Sequence, residues 1–169
     1  MKFTCIDSFC GAGGLGLGLK RSGMDILLSF DIDPTCIKTI NTNKKYFNHP
    51  AQVADISDLL NGNLLERCNL SRGELFLLAG GPPCQGFSVQ RRGSDIDPRN
   101  DLVLKYGQMI NELYPMYFVM ENVSGIAGKR GKTILQQLVE YVEKIGYYVQ
   151  KHIKIIISSN KTNNFERRI

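Results

Sequence analysis

Cys84 is the side chain in this sequence best placed for covalent chemistry. It follows Ala79-Gly80-Gly81-Pro82-Pro83 and precedes Gln85-Gly86-Phe87-Ser88, so a thiol stands in a tight glycine and proline frame directly after an apolar run. Two successive proline rings fix φ on the residues leading into it, and the backbone that aims the thiol is stiff before any substrate arrives. With an ordinary pKa of about 8.5, only a few per cent of such a thiol is thiolate at neutral pH, so a working nucleophile here needs positive charge or dipoles nearby. The plainer alternative is a small, inert turn residue, since cysteine is among the most buried residue types.

A second group of residues points to a nucleotide-like ligand. Gly11-Ala12-Gly13-Gly14-Leu15-Gly16 satisfies G-x-G-x-x-G, and Asp31 lies twenty residues beyond Gly11, the spacing of a dinucleotide fold. Glycines let the backbone approach a ligand closely, and a carboxylate at the end of a second strand accepts hydrogen bonds from ribose hydroxyls. Both features serve nicotinamide dinucleotides and S-adenosylmethionine alike, which leaves a NAD-dependent oxidoreductase as a rival reading. A glycine turn that only packs helix against strand is the structural alternative.

These groups can meet only if the chain alternates strand and helix. Strands are expected over Phe3–Phe9, Ile26–Phe30, Ala51–Ala54, Leu75–Ala79, Met116–Met120 and Tyr147–Ile157, and helices over Leu17–Ser22, Pro34 to about Asn43, Leu102–Leu113 and Lys132–Ile145. The pattern predicts an α/β fold with a Rossmann-like, doubly wound, mostly parallel sheet. Asp31-Ile32, Asp55-Ile56, Cys84 and Glu121-Asn122 then all fall at carboxyl ends of strands, where open α/β sheets place their ligands. Between Gln85 and Asn100 runs a polar stretch carrying Arg91, Arg92 and Arg99, long enough to be a functional loop.

Composition narrows the class. With 169 residues and 43% hydrophobic content, the chain suits one domain with a real core. No apolar run approaches the roughly 20 residues of a membrane span, and Met1-Lys2-Phe3 leads into a strand without a secretory pattern, so a cytoplasmic protein is expected. Five cysteines, an odd number, fit reduced thiols better than a disulfide framework, and two histidines offer little for a structural metal. The net charge of +5 permits a polyanionic partner without requiring one.

With these residues in view, the chain resembles the cytosine-C5 DNA methyltransferases. Asp7-Ser8-Phe9-Cys10-Gly11-Ala12-Gly13-Gly14 is similar to that family's first motif, Gly80 to Ser88 to its nucleophile motif, and Glu121-Asn122-Val123 to its catalytic acid motif. Asp97-Pro98-Arg99-Asn100-Asp101-Leu102 resembles the stretch that opens the next helix, and the order and spacing agree up to about Gly146.

The resemblance implies an S-adenosylmethionine-dependent methyltransferase that carries a methyl group to C5 of a flipped-out cytosine, in a restriction-modification context. It maps Phe9, Gly11 and Gly13 onto the wall of the glycine loop, Asp31 onto the ribose, and Ile32 onto the adenine face, with plain core packing as the alternative for Ile32. Asp55 and Ile56 match the pair at the adenine edge, and Pro83 and Leu102 complete the pocket. Cys84 would add to C6 of the base while Glu121 hydrogen-bonds or protonates N3, and burial against Tyr117-Phe118-Val119-Met120 would favour the protonated acid. Extruding the base from a duplex costs a few kcal/mol, and Gln85, Ser88, Gln90, Arg91 and Arg92 would hold it and contact phosphates.

After Tyr147 the likeness fades. The family's tyrosine, glycine and proline turn with its following glutamine is absent from Ser158 to Ile169, and Arg168 matches a motif arginine only if the register of Arg167-Arg168 is so chosen. The expected organisation is a partial catalytic domain over 1–157 and a divergent tail over 158–169, with no target-recognition domain. A second polypeptide would then supply recognition and the final motif. The alternatives are an inactive remnant or binding module of the same fold, a chain cut short by design, or the catalytic half of a tRNA cytosine-C5 methyltransferase.

Overall fold

The computed structural model describes residues 3–83, 100–123, 126, 129–151 and 155–160. Among them, the chain runs β1 (Thr4–Ser8), α1 (Gly14–Arg21), β2 (Asp25–Asp31), α2 (Pro34–Thr42), β3 (Ala51–Val53), α3 (Ile56–Asn61), α4 (Leu64–Arg67), β4 (Leu77–Gly80), α5 (Asn100–Leu113), β5 (Tyr117–Glu121), α6 (Lys129–Lys144), β6 (Tyr147–Lys151) and β7 (Ile155–Asn160). The strands form one sheet in the order β3-β2-β1-β4-β5-β7-β6. β1 to β5 are mutually parallel, whereas β7 runs antiparallel to both β5 and β6.

The expected doubly wound, mostly parallel sheet is therefore present, and its central strands are apolar on both faces for that reason. Successive residues of β4 show it. Leu78 enters a core with Ile6, Phe30, Tyr106, Phe118 and Leu138 on the face that carries α5 and α6, while Leu77 and Ala79 join Cys5 and Ile26 on the face where Leu15 and Leu19 of α1 pack. Helix starts are built locally. Asp33 accepts the Thr35 N–H at 2.7 Å ahead of Pro34, and Asp55 accepts the Ser57 N–H at 2.7 Å to open α3.

Two expectations need correction. The single last strand over Tyr147–Ile157 is instead the antiparallel pair β6 and β7, and β7 continues to Asn160. One strand of that length would run about 36 Å, far beyond the four residues of β4 and five of β5 beside it. The fourth strand starts at Leu77 rather than Leu75 and ends on Gly80. Gly80 has to be a glycine: a Cβ there would collide with Ser8, lying 2.8 Å from its carbonyl oxygen. At this crossing the Ser8 hydroxyl donates to the Ala79 carbonyl at 2.9 Å, and the buried Tyr106 hydroxyl lies 3.1 Å from the Leu78 carbonyl and 2.9 Å from that of Val119. The ends of β1, β4 and β5 are thus fixed against one another by side-chain bonds as well as by the sheet.

Candidate functional site

The strand order reverses between β1 and β4, so the segments leaving their carboxyl ends diverge and leave a crevice. A cleft of about 230 Å³ opens there among the described residues. Seven residues that the sequence singled out for a cofactor line it together: Phe9, Asp31, Ile32, Asp55, Ile56, Pro83 and Leu102. Phe30, Ala54 and Gly81 also line it. For Phe30 and Ala54 the only sequence signal was adjacency to the polar strand ends, whereas Gly81 belongs to the stretch that resembles the nucleophile motif.

Asp31 is the most closely held of these groups. Its Oδ2 accepts the Gly11 N–H at 2.8 Å and its Oδ1 accepts the Asp33 N–H at 2.9 Å. The glycine loop is thereby tied to the end of β2, and each carboxylate oxygen keeps a lone pair for a further donor. Asp55 is held well ionised: hydrogen bonds from the Ser57 hydroxyl and amide lower its pKa, with a smaller contribution from the Lys105 charge. Ile32 is 67% exposed, which sets plain core packing aside and leaves an apolar face open on the cleft. The Ile56 side chain, only 2% exposed, is in the core, so it can meet a ligand chiefly through its backbone.

Phe9 adopts φ +53°, the left-handed region that a bulky residue seldom occupies and that concentrates at functional sites. Its ring lies 6.1 Å from that of Phe30 in a tilted pair. Gly11 meets the crevice through its bond to Asp31. Gly13 serves helix packing: with φ +90°, a Cβ there would sit 2.8 Å from the Phe47 ring. An adenosyl group suits this set of residues, because two ordered carboxylates offer acceptors to hydroxyl and amino groups while Ile32, Phe9 and Leu102 supply apolar surface.

Asp7, which the sequence reading left without a separate role, is fully buried at the end of β1. Gly16 of α1 lies against it, where a Cβ would come 2.5 Å from Oδ2. Among the described residues neither carboxyl oxygen has a hydrogen-bond partner within normal distance and angle, and the nearby Gly16 amide only partly opposes the effect of burial. Burial, aided by the Asp31 charge, pushes the Asp7 pKa up to about 7.

Glu121 ends β5, and Gly81 approaches it so closely that a Cβ would stand 3.2 Å from its Oε2. Phe118 and Met120 are buried, but Glu121 is exposed among the described residues, so the burial expected from the apolar strand does not reach its carboxyl there. The neighbouring Asn122 donates from Nδ2 to the Pro82 carbonyl at 2.7 Å. Cys84, Gln85, Ser88, Gln90, Arg91, Arg92 and Arg168 lie outside the described residues.

Comparison with known proteins agrees with this arrangement. A family model described as C-5 cytosine-specific DNA methylase matches residues 3–163. The chain is 36% identical over 154 residues to the Type II methyltransferase M1.HphI of Haemophilus parahaemolyticus, covering 89% of this chain and 40% of that protein. To the Type II methyltransferase M.XorII of Xanthomonas oryzae pv. oryzae it is 34% identical, again over 89% of this chain and 35% of that protein. The Type II methyltransferase M.AquIA of Picosynechococcus sp. is 34% identical over 166 residues, which are 96% of this chain and 65% of that protein. The chain thus spans well under half the length of the first two. Among solved structures, one described as a prophage-encoded DNA modification methyltransferase from E. coli superposes with a TM-score of 0.78 at 28% identity, over 95% of this chain and 47% of that one. The Dnmt2 methyltransferase of S. pombe shares the fold, with a TM-score of 0.69 at 19% identity, over 99% of this chain and 53% of its own. Among the described residues, no helix is long and apolar enough to cross a membrane.

Proposed function

We propose, because the chain belongs to the C-5 cytosine-specific DNA methylases, that it is the catalytic part of a DNA (cytosine-5-)-methyltransferase of a restriction-modification system. The observation that carries the reading is the cleft. Seven residues scattered over ninety-four positions of sequence, from Phe9 to Leu102, converge on it at the strand ends, beside the turn that leads to Cys84.

In this reading Asp31 accepts hydrogen bonds from the ribose of S-adenosylmethionine, Ile32 covers the adenine, and Asp55 with the Ile56 backbone meets its edge. When bound, that cofactor supplies an electrophilic methyl group on a sulfonium sulfur, which C5 of the base takes up. Cytosine C5 is a poor nucleophile, and the protein's own groups correct this. The Cys84 thiolate forms a bond to C6 while Glu121 hydrogen-bonds or protonates N3, so that the electron pair of the C5–C6 double bond becomes available at C5. Loss of the C5 proton to a base later restores the double bond and expels the thiolate, and a proton taken up at N3 returns to Glu121. The base must leave the duplex to be reached, and Gln85, Ser88, Gln90, Arg91 and Arg92 hold it and its phosphates, with Arg168 supporting the base and Glu121. In this reading a second polypeptide supplies target recognition. The match itself covers 35% to 40% of M.XorII and M1.HphI.

Calorimetry tests the cofactor assignment. S-adenosylmethionine is expected to bind and NAD is not, and Asp31→Ala is expected to weaken binding by roughly 1–3 kcal/mol through loss of charge-assisted hydrogen bonds. Tight NAD binding with none for S-adenosylmethionine would overturn the enzyme class.

A further inference from the structure

Asn122 joins the end of β5 to the turn after β4. Its Nδ2 donates to the Pro82 carbonyl at 2.7 Å across 40 residues of sequence, and its Oδ1 accepts the Val123 N–H at 2.9 Å. Chemistry forces this orientation of the amide. A carbonyl only accepts and a backbone N–H only donates, so the flipped side chain would lose both bonds. The turn has little else to offer a partner, because neither Pro82 nor Pro83 carries an N–H and a lateral restraint must come from a donor aimed at a carbonyl. Pro82 is buried, where an unmet carbonyl is costly. The same contact brings the turn against the acid, since a Cβ on Gly81 would lie 3.2 Å from Glu121 Oε2 and 3.5 Å from the Glu121 carbonyl oxygen.

We propose that Asn122 is a positioning residue that fixes the turn Gly81-Pro82-Pro83 relative to Glu121 by holding the Pro82 carbonyl. The proposal rests on the reading of Cys84 and Glu121 as the reacting pair, because it is the separation of those two groups that the latch would set. Both ends of the amide are engaged within the protein, which suits holding a backbone rather than touching substrate. Addition at C6 and proton donation at N3 act on one ring, and a misplacement of about 1 Å between two such groups costs up to about 10²-fold in rate.

Two variants test it in the full chain. Asn122→Asp keeps the size and the acceptor for Val123 but puts an oxygen against the Pro82 carbonyl, and Asn122→Ala removes both bonds. One readout needs no turnover: alkylation of Cys84 by iodoacetamide, followed peptide by peptide, with the partly exposed Cys36 as internal reference. The other is the rate of covalent trapping on a 5-fluorocytosine oligonucleotide with S-adenosylmethionine, with and without the neighbouring polypeptide. Both variants are expected to retain S-adenosylmethionine binding, weakened at most through Gly81 and Pro83 of the released turn, since Asn122 itself is not among the described residues that line the cleft. Their Cys84 alkylation should change at least about threefold relative to Cys36, and trapping should slow roughly 10- to 100-fold. Unchanged Cys84 alkylation in both variants overturns the latch, as does wild-type trapping by both. Should Asn122→Ala fail to fold, Asn122→Asp decides. If the wild type traps nothing under any condition while Cys84 alkylation still responds to the variants, the latch stands and the catalytic reading has failed.

Discussion

Replacement of Cys84 by alanine is expected to lower methyl transfer at least ~10³-fold while leaving S-adenosylmethionine binding intact. The size follows from the chemistry: without a bond at C6 there is no electron-rich C5, and none of the described residues lining the crevice is a cysteine. Cys10 is a rival inside the glycine loop, but burial followed by the Asp7 and Asp31 charges drives its pKa far above the ordinary thiol range. Burial likewise pushes Cys5 up to about 12. Neither supplies thiolate at neutral pH. Cofactor affinity should survive, because the described lining of the cleft consists of strand ends, Pro83 and Leu102. Activity of Cys84→Ala within about tenfold of the wild type would remove the nucleophile assignment.

The second large effect is on stability. Asp7 is fully buried with neither oxygen partnered among the described residues, and desolvation raises its pKa from 3.8 to about 7. Between those two values the folded chain holds a proton that the unfolded chain releases. Stability contributed at this site is therefore complete at acid pH and falls as pH rises through that window, reaching its floor once the buried carboxyl must ionise. Asp7→Asn removes the titration. At pH 8 it is expected to unfold with roughly 2–4 kcal/mol more stability than the wild type, and near pH 4 with about the same. Urea unfolding of both proteins at the two pH values checks this, and parallel pH dependences would contradict it.

The site was legible in the sequence where function and strand ends coincide. Asp31, Ile32, Asp55 and Pro83 each follow an apolar run that stops abruptly, and in a parallel sheet such runs end at one edge. What could not be read depends on distance or on brevity. Helices α3 and α4 are six and four residues long, too short for a helical period to separate them from loop. Residues 147–157 read as one strand, and only the antiparallel pairing of β7 with β5 and β6 divides the segment in two. The packing of Gly13 on Phe47 and the bond from Asn122 to Pro82 join residues 34 and 40 positions apart, which no local pattern announces. Burial of Asp7 is of the same kind. The residue belongs to a motif, but α1 closes over it through the missing Cβ of Gly16.

The most direct measurement is transfer of a labelled methyl group from S-adenosylmethionine to DNA by the purified chain, alone and mixed with the polypeptide encoded beside it, followed by digestion to nucleosides. The account predicts label in 5-methylcytosine alone, little or none with the isolated chain, and robust transfer when the second polypeptide is present. Label in any other nucleoside would contradict the chemistry. Site-specific methylation by the isolated chain would contradict the need for a partner, and a folded chain that binds S-adenosylmethionine yet methylates nothing in any mixture would contradict the enzyme.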